Sequence, residues 1–134
     1  MSYNSGRDKI FWRLGHEKSD ELLNELNNLE NVNFQDEWGI SYLQVACRSQ
    51  YLEAVEVLLK KGADPNITNN RGFNPILSAL GVINENNTGI LELFLKYGLD
   101  LNSPHRDSTL KEMIESFEEN EWNSLIKKYE NLQD

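Results

Sequence analysis

The chain has 134 residues and a formal net charge of −9, from 22 acidic and 13 basic side chains. Hydrophobic residues make up 39% and charged residues 26% of it, which is typical of one globular domain and not of a disordered chain. Because like charges repel at long range, this balance argues against direct binding of nucleic acid or an anionic membrane. It favours a protein partner with a basic surface.

The sequence predicts neither a membrane span nor a secretory signal. No stretch approaches the roughly 18–20 apolar residues that cross a bilayer, and residues 1–9 are polar with no apolar segment behind them. These features predict a cytoplasmic protein. Cys47 is the one cysteine, so no intramolecular disulfide can form. Its apolar neighbours predict a small buried core residue rather than a reactive thiol.

Two short helices are predicted at the N-terminal end, over residues 5–33. Ile10, Phe11 and Leu14 have helical spacing, and Gly15 interrupts the pattern. Ser19 is a suitable N-cap for the second helix, because its hydroxyl can accept a hydrogen bond from a free backbone N–H. The apolar face of that helix is Leu22, Leu23, Leu26 and Leu29.

A turn and another pair of helices are predicted over residues 34–66. Ser41 is the expected N-cap of the first helix, and Gly62 follows the second at a position where a left-handed C-cap favours glycine. Both helices are short and would be marginal alone, so each needs its neighbours. The predicted apolar faces are Leu43, Ala46 and Cys47 on the first helix and Val55, Leu58 and Leu59 on the second.

The same pattern returns over residues 67–102. Gly39 and Gly72 lie 33 positions apart, and each belongs to a predicted turn. Asn74 and Pro75 suit the N-cap and the first helical position of the next helix. This unit is three residues longer than the preceding one. We expect the extra residues in the polar loop 84–88, between its two helices.

The last segment, residues 103–134, is predicted to contain a turn and two helices. Residues 104–107 form the turn, and Ser108 is the expected N-cap of the first helix. The final helix begins near Asn120, with Leu125, Ile126 and Tyr129 as its inner stripe. Glutamates are predicted to coat the outside of this unit as a solvated cap: Glu112, Glu115, Glu118, Glu119 and Glu121.

The stretch from Asp36 to Asn66 resembles an ankyrin repeat, and residues 67–102 resemble a second one. The departures are Tyr42, Gln44 and Leu77, where the family prefers proline, histidine and histidine. The residues that match the family pattern are Gly39, Ser41, Leu43, Ala46, Val55, Leu58, Leu59, Gly62, Ala63, Asp64 and Asn66.

The resemblance implies an all-α ankyrin-repeat solenoid over residues 1–134, made of about four helix-turn-helix units. Two units are clear repeats, at 34–66 and 67–102. The flanking units, at 5–33 and 103–134, are expected to be degenerate caps, because a repeat array needs ends with a polar outer face. For residues 5–33 the alternative is an unrelated helical hairpin.

The sequence offers little for catalysis or metal binding. His16 and His105 both fall in predicted loops, and no HxxxH or CxxC spacing is present. No glycine-rich phosphate loop follows a strand. We therefore expect no metal, no cofactor and no enzymatic activity.

The resemblance implies that a partner binds the concave face, at the turn tips and the exposed positions of the first helices. Trp38 and Phe73 are the candidate anchors, because aromatic side chains carry much of the energy of protein interfaces. The alternative is that both pack locally over their turns. The loop 84–88 is a second candidate contact. The predicted partner-binding residues are Glu37, Trp38, Ile40, Tyr42, Val45, Arg48, Asn70, Arg71, Phe73 and Ser78.

These observations predict a protein-binding module that is monomeric before it binds. The finer hypothesis is an inhibitor that neutralises a basic protein by occupying its surface, since small acidic ankyrin proteins resemble some bacterial immunity proteins. The alternative is a scaffold or assembly subunit of a larger complex. A third class, an enzyme, would need a pocket in which His16 or His105 lies beside a carboxylate.

Overall fold

The computed structural model describes residues 6–81 and 84–132, which form eight α-helices and one two-stranded hairpin. The strands β1 and β2 pair in antiparallel fashion ahead of the seventh helix. The helices are α1 (Gly6–Leu14), α2 (Asp20–Asn27), α3 (Tyr42–Arg48), α4 (Leu52–Lys60), α5 (Pro75–Leu80), α6 (Asn87–Lys96), α7 (Leu110–Glu115) and α8 (Asn120–Leu132), and the strands are β1 (Pro104–His105) and β2 (Ser108–Thr109).

The helices stack as successive hairpins in two rows. In the inner row α1 contacts α3 and α3 contacts α5, and in the outer row α2, α4, α6 and α8 contact one another in turn. Each hairpin therefore lies beside the next along one axis, which confirms the predicted tandem arrangement of four helix pairs. Within the two described ranges, no helix has both the length and the apolarity needed to cross a bilayer.

One continuous apolar core runs through all four hairpins. Ala46 and Ala79 are fully buried where α3 meets α5, and their small side chains allow the close approach of these two helices. Cys47 is buried beside them, and this burial raises the pKa of its thiol because the thiolate would lose its hydration. The prediction of an inert core cysteine is confirmed.

The helix ends follow the predicted capping chemistry. The side chains of Ser19, Ser41 and Asn74 each accept a hydrogen bond from a backbone N–H two or three residues ahead, at 2.8–3.2 Å. Gly62 and Gly98 have φ of 107° and 101° just after α4 and α6. These five helix ends are therefore built from residue types that the backbone geometry favours.

The cap of α7 differs from the prediction. Ser108 is part of β2, where its hydroxyl donates to the carbonyl of His105 at 3.2 Å. Thr109 is the N-cap: its hydroxyl accepts from the N–H of Glu112 at 3.2 Å, and the Glu112 carboxylate accepts from the N–H of Thr109 at 3.0 Å. Both residues belong to β2, but only Thr109 lies three residues before Glu112, so the reciprocal capping box forms there.

We expect Thr109→Ala to lower the free energy of unfolding by about 1 kcal/mol, because it removes the N-cap of α7. The matched control is Ser108→Ala, which deletes a neighbouring hydroxyl that caps no helix and should change the free energy by less than about 0.5 kcal/mol. Urea denaturation of both variants measures the difference. Equal losses in the two variants would contradict this assignment of the cap.

The inner face of α8 also differs from the predicted stripe. Trp122 and Ile126 are buried, whereas Leu125 and Tyr129 are only half-buried. The Trp122 indole N–H donates to the Thr88 hydroxyl of α6 at 3.2 Å, so the largest side chain of the helix occupies the contact between the two. The five predicted outer glutamates are all exposed.

Two asparagines join neighbouring hairpins. The side-chain oxygen of Asn33 accepts from the N–H of Asp64 at 2.8 Å, and its side-chain N–H donates to the Gly62 carbonyl at 3.3 Å. Asn66 makes the same pair of bonds one unit later, to Asp100 at 2.6 Å and Gly98 at 3.1 Å. Each unit therefore closes its backbone hydrogen bonds with a side chain from the unit before it.

Candidate functional site

The first turn, residues 35–41, presents Trp38 to solvent on a hydrogen-bonded backbone. The Asp36 carboxylate accepts from the backbone N–H groups of Trp38 and Ile40 at 2.9 and 2.8 Å. The Trp38 carbonyl accepts from the N–H of Asn70 in the next turn at 3.0 Å. Trp38 itself is 65% exposed. A large apolar side chain is thus held outside the core by a fixed backbone.

The second turn, residues 68–74, repeats this design. The Asn69 side chain accepts from the N–H groups of Arg71 and Phe73 at 2.9 and 3.1 Å. The Asn70 side chain donates to the Glu37 carbonyl of the first turn at 2.8 Å, so the two turns are joined along their edges. Arg71 consequently lies at the tip of the second turn, in the position that Trp38 has in the first.

The structure brings most of the predicted partner-binding residues to the surface of the turns and first helices. One group of five is exposed and a second group of three is half-buried. The exposed residues are Glu37, Trp38, Arg48, Asn70 and Arg71, and the half-buried residues are Ile40, Phe73 and Ser78.

Two of the predicted contact residues are buried, so the expectation that they are exposed is wrong. The Tyr42 ring stacks on Phe11 of α1, with ring centroids 4.6 Å apart. Val45 is buried where α3 faces α1, close to Gly15. Both side chains point toward the preceding unit rather than toward the concave surface, because the N-terminal hairpin covers that side of α3.

Phe73 packs against the third turn. Its ring centroid lies 5.4 Å from that of His105, and the Arg106 guanidinium lies 5.3 Å from the same ring. The two aromatic candidates therefore differ. Trp38 is exposed and free to contact a partner, whereas Phe73 packs between the second and third turns. Local packing is the better interpretation of Phe73.

A cleft of about 500 Å³ opens beside Phe73, between the second turn and the hairpin β1–β2. The sequence predicts Phe73 and Ser78 as surface residues, but it does not identify most of the other residues that line the cleft. Arg106 is the counterpart of Trp38 and Arg71 in a shortened third turn, and the repeat spacing could have identified it. The further lining residues are Gln44, Asn69, Leu77, His105, Arg106, Asp107, Ser108 and Met113.

Within the described part of the chain, neither histidine forms an ion pair or a hydrogen bond with a carboxylate. The Nδ1 atom of His16 lies 2.7 Å from the Trp12 carbonyl, and its ring stacks on the Trp12 indole. The His105 ring contacts Phe73, and although Asp107 also lines the cleft, no hydrogen bond joins these two residues. Among residues 6–81 and 84–132, no cluster of three or more His, Cys, Asp or Glu side chains is arranged to hold a metal ion.

The loop before α6 is the second predicted contact. Asn84 and Glu85 are exposed, whereas the Asn86 side chain donates to the Gln50 carbonyl at 2.9 Å and fixes the end of the loop. Residues 82 and 83 lie outside the described ranges. The part of the loop that is free to contact a partner is therefore limited to its first residues.

Comparison with known proteins matches residues 13–105 to a family model described as ankyrin repeats in three copies. The match begins at residue 13, near the end of α1, and therefore includes α2 of the N-terminal hairpin. Two relatives share sequence with about half of the chain. The ankyrin repeat and KH domain-containing protein mask-1 of Caenorhabditis elegans is 38% identical over 65 residues, and an ankyrin repeat protein of Acanthamoeba polyphaga mimivirus is 34% identical over 70 residues.

The chain spans only 2% and 11% of the length of these two relatives. Among solved structures, a crystal structure of an ankyrin repeat domain from Acinetobacter baumannii AYE superposes with a TM-score of 0.76 over 90% of this chain and 63% of that domain. Its sequence identity is 23%, so this similarity concerns the fold.

Proposed function

Because the chain belongs to the ankyrin-repeat family, we propose that it is a non-catalytic module that acts by binding another protein at its concave surface. Ankyrin repeats mediate protein–protein interaction. The observation that carries the proposal is the exposed Trp38 on a turn fixed by hydrogen bonds. Such a side chain can enter a partner's pocket with little loss of backbone freedom on binding.

At a finer level, we propose that the chain neutralises a basic partner by occupying its surface, as an immunity protein or antitoxin does. The net charge of −9 supports this proposal, because an acidic surface attracts a cationic protein at long range and accelerates encounter. We further propose that the unbound chain is a monomer in the cytoplasm. The free, buried thiol of Cys47 is compatible with a reducing compartment.

A salt titration distinguishes this role from that of a scaffold or assembly subunit. If the partner is basic, the association rate should fall about tenfold as ionic strength rises from about 0.05 to about 0.5 M, because salt screens the attraction. Stopped-flow or surface-based kinetics with the captured partner measure it. A rate that is independent of salt would favour the scaffold, and a rate that rises with salt would show an acidic partner.

The partner is to be identified by affinity capture from the native host with the tagged chain. Trp38→Ala serves as the matched bait, since a partner that binds through the proposed surface should be captured by the parent chain and lost from the variant. A protein captured equally by both baits would contradict this surface.

If the captured complex shows an enzymatic activity that depends on His16 or His105, the chain would have to be reclassified as an enzyme.

A further inference from the structure

The cleft between the second and third turns combines an apolar floor with polar side chains at its edge. Phe73, Leu77 and Met113 supply the apolar part, and His105, Arg106 and Asp107 supply the charged or titratable part. Its volume of about 500 Å³ exceeds that of a single side chain, so it can hold two adjacent residues of a peptide.

Arg106 is placed to meet an anion. Its guanidinium carbon lies 5.3 Å from the centroid of the Phe73 ring, a cation–π contact, and the residue is exposed. It forms none of the ion pairs between described residues, whereas Arg13, Lys111 and Lys128 each pair with a glutamate. Arg106 therefore keeps its donors available in the cleft.

His105 places a second polar side chain in the cleft. The residue is only 7% exposed and lines the same cleft. Its ring contacts Phe73, but its imidazole makes no hydrogen bond to any residue within the described ranges. Neither ring nitrogen is fully buried, so the imidazole can form a hydrogen bond with a group that enters the cleft.

The charge near the cleft also differs from that of the whole molecule. Acidic side chains are exposed at the first turns of the outer helices, at Asp20, Glu53 and Glu121. The cleft lies on the other side of the stack, with Arg106 inside it and one exposed acid, Asp107, in its lining. The net charge of −9 thus affects the rate at which the chain meets a charged partner. It does not describe the local charge of the cleft.

We infer that this cleft binds a segment of the partner that carries an acidic side chain next to an apolar one. This inference rests on the proposed function. Arg106 and His105 bind the carboxylate, and Phe73, Leu77 and Met113 receive the apolar neighbour.

NMR titration of the full chain with two short probes tests the inference. The probes are acetyl-Leu-Glu-amide and its uncharged analogue acetyl-Leu-Gln-amide, with sodium acetate as a third arm that supplies a carboxylate alone. We expect the Glu probe to shift the resonances of His105 and Phe73, and to bind about fivefold more tightly than the Gln probe. Acetate should be weaker than the Glu probe, because it lacks the apolar contact. Equal binding of the Glu and Gln probes would overturn the inference.

Three charge variants sharpen the test. Arg106→Gln should reduce affinity for the Glu probe to that for the Gln probe, and Asp107→Asn should strengthen it because a like charge is removed. Lys96→Gln is the matched control, since Lys96 is an exposed cation over the Tyr97 ring that does not line the cleft, and it should leave affinity unchanged. Circular dichroism verifies that each variant is folded. Equal effects of the Arg106 and Lys96 variants would show a general charge effect and contradict a local site.

The outcomes separate this inference from the proposed function. If the chain captures a partner through Trp38 while Arg106→Gln changes neither partner nor probe affinity, the function stands and the cleft inference fails. If no protein is captured but the Glu probe binds with the expected dependence on Arg106, the proposed function fails and only the peptide-binding chemistry of the cleft is confirmed.

Discussion

Replacing Gly39 with alanine is expected to lower the free energy of unfolding by about 3 kcal/mol. Gly39 has φ of 79°, where a side chain is disfavoured. A methyl group at this position would also lie 2.6 Å from the backbone nitrogen of Asn70, which belongs to the next turn. Because that atom is part of a hydrogen-bonded backbone, the two turns would have to separate. Urea denaturation measures the loss.

Gly72→Ala is the matched control for this variant. Gly72 has nearly the same φ, 82°, but a methyl group there would meet no atom within 4 Å. We expect a loss of only about 1 kcal/mol, from the backbone conformation alone. The difference between the two variants therefore isolates the contact between consecutive turns. Equal losses would mean that this contact contributes nothing to stability.

Trp38→Ala is expected to weaken partner binding by about 2 kcal/mol, or roughly 30-fold in Kd, without changing stability by more than about 0.5 kcal/mol. The indole is exposed, so its removal leaves no cavity, whereas a partner that buries it would lose a large apolar contact. Isothermal titration calorimetry with the captured partner measures Kd.

Trp12→Ala provides the control for the loss of an exposed indole. Trp12 is 63% exposed, close to the 65% of Trp38, but it lies on α1 and stacks on His16 away from the turn tips. We expect Kd to remain unchanged in this variant. If both tryptophan variants weaken binding equally, the partner does not distinguish the turn surface and our site assignment is wrong.

The repeat architecture could be predicted from sequence because its signals are local. Ser41, Asn74 and Gly62 identify helix ends, since each residue type satisfies a backbone geometry that few others can adopt. The 33-residue spacing of Gly39 and Gly72 then shows that one unit follows another. The tandem stacking follows because each hairpin is too small to bury its own apolar face.

The candidate site was harder to predict because it depends on contacts between units. Tyr42 occupies a position that the repeat pattern would expose, but Phe11 of another unit covers it. The spacing of apolar residues identifies the buried face of a helix, but it does not show which residues of a neighbouring unit pack against the other faces. The cleft beside Phe73 depends on the position of the hairpin β1–β2, and the cap of α7 lies at Thr109 rather than at Ser108. Ser108 and Thr109 are both suitable N-cap residues, so their residue types do not show which of them begins the helix.

The asparagine bridges have a consequence for how the chain folds as it is synthesised. The hydrogen-bond partners of Asn33 are 29 and 31 residues ahead, and those of Asn66 are 32 and 34 residues ahead. On the ribosome, each bridge can form only after the following hairpin has emerged from the exit tunnel. The growing chain would therefore always carry one loosely held hairpin at its C-terminal end, and folding would trail translation by about one unit.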